Sequence, residues 1–96
     1  MNSMEALSIA QMIMRADWYY NMCDDYSAYI RGQASVSEVK SYINNRSWIS
    51  EDVNLIKNEI KNILTLRDIN KVVNQDTLDF WNNKIDNLFK KALENE

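Results

Sequence analysis

The chain has no proline, no histidine, one glycine and one cysteine in 96 residues. Each scarcity removes a class of structure or chemistry. Hairpin turns and tight strand–helix loops recruit glycine and proline for their special backbone angles. Their near absence leaves helices joined by Asn, Ser and Asp turns. Without histidine, a serine or cysteine nucleophile lacks its usual base. Cys23 stands beside Asp24, an anionic neighbour that disfavours the reactive thiolate, so it reads as a small buried hydrophobe. A lone cysteine makes neither an internal disulfide nor a cysteine-based zinc site, and it fits a reducing compartment. No glycine-rich loop is present to cradle phosphate. No apolar run approaches the roughly 18 residues that cross a bilayer. Residues 1–14 are apolar but include Glu5 and Gln11 and no basic leader, which argues against a signal peptide. The expectation is a cytoplasmic, non-enzymatic chain with no cofactor and no membrane partner.

What is present favours a folded core. Hydrophobic residues make up 46% of the chain, with three Trp, five Tyr, two Phe and five Met, which argues against disorder. One domain over residues 1–96 is expected. The net charge of −3 is evenly distributed: five acids and four bases in residues 1–48, nine and seven in 49–96. Neither half carries a basic footprint for phosphate or a dense acidic block. Abundant Asn, Ile and Lys suggest an AT-rich genome, such as that of a phage or a low-GC bacterium.

The fold class expected is all-α: a compact bundle of four to five helices with a long N-terminal helix and an antiparallel C-terminal helical hairpin. The first helix begins at Asn2 or Ser3 and runs to about Arg31, with Gly32 as a left-handed stop. At 1.5 Å per residue it is about 40 Å long, with room for a kink at Asp24-Asp25. Ser35-Val36-Ser37-Glu38 reads as a capping box opening a short second helix that ends at Asn44-Asn45. Ser50 caps a third helix with Val53, Ile56, Ile60 and Ile63 on one face. Thr65-Leu66-Arg67-Asp68 can cap a further short helix carrying Ile69, Val72 and Val73. Asp76 caps the last helix, whose seam is Leu78, Trp81, Ile85, Leu88 and Ala92, with Phe89 alongside. The narrow seams of the third and last helices suit a near-antiparallel hairpin.

The first helix is different, being apolar almost all round outside a strip through Asp17, Asn21, Asp24 and Arg31. Such a helix must be covered almost all round, which predicts a homodimer or an obligate partner through it; the competing expectation is a kink near Asp24-Asp25 that folds the helix back so that one chain covers itself. Trp, Tyr and Met are favoured at binding surfaces, so Trp18, Tyr19, Met22, Asp24, Asp25, Tyr26 and Tyr29 are the candidate partner-binding residues. Asp25 is expected on the face of Met14, Trp18 and Tyr29, bonded to tyrosines or a base. The acids Asp17, Asp24 and Asp25 do not complete a helical metal set with Glu51-Asp52 or Asp76/Asp79, so no catalytic or metal residues are assigned. The function expected is a small protein–protein interaction module, a regulator, adaptor or inhibitor acting by steric occupation of another protein's surface. The alternative is a nucleic-acid-binding transcriptional regulator using a helix-turn-helix-like segment at 66–84. Against nucleic acid stand Asp76 and Asp79, which would repel phosphates at the start of the recognition helix, and a turn without glycine.

Overall fold

Helices begin where a short polar side chain can take the free N–H groups of a first turn, and in this chain those places set the architecture. The computed structural model describes residues 1–21, 25–67 and 72–94 and gives four α-helices: α1 Ser3–Asn21, α2 Tyr26–Asn44, α3 Ser50–Arg67 and α4 Gln75–Leu93. No strand occurs among the described residues. The Asn2 side chain accepts the Glu5 N–H at 2.8 Å, opening α1 as expected. Asp25, in extended backbone, caps α2 by accepting the Ala28 N–H at 2.8 Å. Ahead of α3 the Asp52 carboxylate reaches back to the Ile49 N–H at 3.2 Å. Asn74 caps α4 by accepting the Asp76 N–H at 2.7 Å.

These starts correct the sequence plan in several places. The long first helix is two helices: α1 stops at Asn21 and Asp25 opens α2, so the break falls at the site marked for a kink. Gly32 is no stop. It is buried inside α2, where a Cβ would lie 2.9 Å from the Cα and N of Tyr20. Glycine serves here for close approach between two helix backbones, not for a left-handed turn. The Ser35–Glu38 capping box lies in the interior of α2. Ser50 is the first residue of α3 rather than its cap, and Asn74 replaces Asp76 as the cap of α4. Residues 65–67 continue α3, while Val72 and Val73 are outside any helix. Asp68 and Ile69 lie outside the described residues.

α1 packs against α2 and α3, and α4 packs against the same two helices, so α1 and α4 are diagonal to each other, as are α2 and α3. The C-terminal pair therefore matches the expected hairpin in outline, but α3 also has α1 for a neighbour. A Lys57–Asp86 ion pair of 2.6 Å sets the first half of α3 beside the second half of α4. Glu5 of α1 pairs with Arg46, just past α2, and the Met1 amino group lies 3.7 Å from Asp52 of α3. Hence the α2–α3 connection, residues 45–49, runs along one end of the molecule. The end of α1, the start of α2, the end of α3 and the start of α4 lie at the other, called the two-turn end because the chain reverses direction there twice. The molecule measures 40 × 35 × 23 Å, and the short dimension is about two helix diameters.

The core is the inner stripe of every helix: Ala6, Ile9, Ala10 and Ile13 of α1, Val39 and Ile43 of α2, Val53, Ile56 and Ile60 of α3, and Trp81, Ile85 and Phe89 of α4. Small residues at Ala6, Ala10 and Ala16 let neighbours come close to α1. Trp48, from the α2–α3 connection, closes the core at its end. It is 3% exposed, its ring nitrogen donates to the Ile43 carbonyl at 2.8 Å, and it meets Phe89 edge-on at 4.9 Å. Arg46 lies over the Trp48 ring and donates to Tyr42 and Glu5. Hydrogen bonding to Glu5 holds the guanidinium pKa above its ordinary value.

Candidate partner-binding surface

An apolar side chain left in water at a helix end is a small loss of stability, but several at one end form a surface with a character of its own. Eight of the eleven exposed large hydrophobics among the described residues sit near the two-turn end: Trp18, Tyr20, Tyr26, Tyr29, Ile30, Leu66, Val72 and Phe80. Tyr26 is 77% exposed and Leu66 87%. Met4, Tyr42 and Ile49, the remaining three, belong to the opposite end. An aromatic side chain presents about 150–250 Å², so half-exposed rings in this number leave on the order of several hundred Å² of apolar surface.

The candidate residues distribute as follows. Trp18 is 56% exposed and meets half-buried Tyr19 edge-on at 4.9 Å. Arg31 lies over the Tyr19 ring, 5.3 Å from its centroid. Tyr26 and Tyr29 are exposed on the first turns of α2. Met22 and Asp24 lie outside the described residues. Asp25 does not share a face with Met14, Trp18 and Tyr29. It is exposed, and its carboxylate is taken up with the α2 cap. The continuous helix that would have placed it among aromatics does not form. Asp17, expected on the solvent strip, is mostly covered and pairs with Lys84 of α4 at 2.6 Å. Lys84 also lies 5.9 Å from the centroid of the Phe80 ring.

Two concavities flank α1. One, of about 390 Å³, opens between α2 and α4 over the α1 residues Ile13 and Ala16, with the Asp17–Lys84 pair at its edge. The other, of about 520 Å³, runs between α1 and α3 and is lined by Gln11, Met14, Arg15, Trp18, Ile63 and Arg67. Sequence reasoning passed over Arg15 and Arg67. Each reads alone as a solvated charge, and only the α1–α3 packing sets them at one groove. Among the described residues no three acidic or sulfur side chains gather as a metal site would require, and no helix is long and apolar enough to cross a membrane. Compared with protein families, characterised proteins and solved structures, the chain shows no significant match to any of them.

Proposed function

We propose that the chain is a protein-binding module, a small regulator, adaptor or inhibitor that acts by occupying a partner's surface with its two-turn end. The supporting observation is the gathering of exposed aromatic and aliphatic side chains at that end, around Trp18, Tyr26, Tyr29 and Leu66. Rigid aromatic rings anchor interfaces well because they cover large area while losing few rotamers. The partner is another protein chain. The coverage argument for a homodimer is narrower than the sequence suggested, because α2 and α3 pack on α1 within one chain and its inner positions Ala6, Ile9, Ala10, Ile13, Met14 and Ala16 are buried. Near its C-terminal end Trp18 and Tyr20 are exposed. The transcription-regulator reading is weaker: Asp76 and Asp79 are exposed at the start of α4, where they oppose a phosphate backbone.

The test is a paired capture. Immobilised wild-type chain and a Trp18→Ser/Tyr26→Ser variant are exposed to lysate of the native host, and bound proteins are quantified. The expected outcome is a specific partner recovered by wild type and reduced at least tenfold on the variant. Equal recovery on both would remove the two-turn end from the binding function.

A further inference from the structure

The chain has four arginines, and two of them are spent within the fold. Arg46 engages Glu5, Tyr42 and Trp48, and Arg31 lies over Tyr19. The other two, Arg15 and Arg67, are exposed, form no ion pair among the described residues, and line the same groove. That groove has an apolar floor, buried Met14 and half-buried Ile63, and an exposed indole, Trp18, at its side. Among the described residues that line it there is no carboxylate. A protein of net charge −3 thus carries a concave site with two guanidinium groups that have no ion pair among the described residues.

We infer that the α1–α3 groove binds an acidic segment of a partner protein, with carboxylates on Arg15 and Arg67 and a neighbouring apolar side chain against Met14, Ile63 and the Trp18 ring. This rests on the protein-binding reading and names the chemistry of what is bound. A guanidinium presents a planar fork of donors that fits a carboxylate with two parallel hydrogen bonds. Trp and Arg are also the residues in which binding energy concentrates. Arg67 sits in the last turn of α3, where a cation complements the helix dipole. That role accounts for its charge but not for its place opposite Arg15. Nucleic acid is a poorer occupant, since affinity for a phosphate backbone grows with the number of charges neutralised and the groove offers two.

The experiment is selection from a displayed library of random peptides against the full chain. Selected peptides are then measured on wild type, on Arg15→Glu/Arg67→Glu and on Arg15→Lys/Arg67→Lys, each first shown by circular dichroism to keep wild-type helix content and melting. The expected consensus places two Asp or Glu beside a Leu, Ile or aromatic residue. Affinity should fall at least tenfold in the Glu variant and less in the Lys variant, and should weaken with added salt. An acid-poor consensus, or peptides that bind the Glu variant as well as wild type, would overturn the groove proposal while leaving protein binding intact. If no peptide is selected and the paired lysate capture also yields no partner, both readings fall; no peptide selected with a partner captured overturns the groove alone. Binding of a 20-nucleotide DNA, or concentration-dependent self-association lost in the Glu variant, would put a different occupant in the groove and equally overturn the proposal.

Discussion

Gly32 lies inside α2 where the Tyr19–Tyr20 backbone of α1 leaves no room for a Cβ, and Trp48 closes the core from the α2–α3 connection. A lone glycine after an apolar run reads as a helix end, because that is the commonest local use of glycine. Its use here is set by Tyr19 and Tyr20 on another helix, which no local pattern reveals. Replacement by alanine gives opposing effects: helix propensity gains about 1 kcal/mol, while a methyl group forced against backbone costs about 1–3 kcal/mol. With the nearest atoms being backbone at 2.9 Å, the second effect should win. Gly32→Ala is expected to lower the urea midpoint, and a raised midpoint would mean the helices do not cross so closely. Trp48 stands in a connection with no periodicity to announce it, yet it is buried as deeply as the helical core. Trp48→Ala should cost about 3–5 kcal/mol, the range for removing a large buried ring, read by equilibrium denaturation.

The elements were legible in proportion to their periodicity. α3, with Val53, Ile56 and Ile60 buried as spaced, and α4, with Trp81 and Ile85 buried, follow directly from the apolar stripe. The break between α1 and α2 is harder to see, because residues on both sides are apolar or aromatic and the stripe continues without a gap. The signal that mattered was Asp25, a good cap preceding Tyr26, rather than the glycine seven residues later. Asp25→Ala should therefore destabilise by about 0.5–2 kcal/mol, the usual cost of losing an N-cap. A change within error in thermal melting would indicate that α2 starts elsewhere. The diagonal pair α1 and α4 is joined by Asp17 and Lys84. A double-mutant cycle with Asp17→Ala and Lys84→Ala should give a coupling of roughly 0.5–1 kcal/mol that shrinks with salt, as partly exposed pairs do.

At the scale of the molecule, the candidate surface was legible as composition but not as place. The run from Trp18 to Tyr29 is visibly aromatic, yet only the fold reveals that α3 brings Leu66 and Arg67 to the same end. The three tryptophans report this division of the molecule: Trp48 and Trp81 are 3% and 9% exposed, whereas Trp18 is 56% exposed. Iodide should therefore quench one emitting population and spare the rest, and Trp18→Phe should abolish the quenchable part. Uniform quenching in wild type would contradict the packing of Trp48 and Trp81. The diagonal step from α2 to α3 also has a consequence for the order of folding. α1 with α2 and α3 with α4 are packed neighbours close in sequence, so their contacts are local and are expected to form fast. Residues 45–49 are then expected to settle when the two units dock. Interactions made after the barrier has been crossed slow unfolding without speeding folding. Trp48, bridging Ile43 of one unit and Phe89 of the other, is the bolt on that joint. In a stopped-flow chevron, Trp48→Phe should steepen the loss of native protein by raising the unfolding rate several-fold and leave the folding limb nearly where it was.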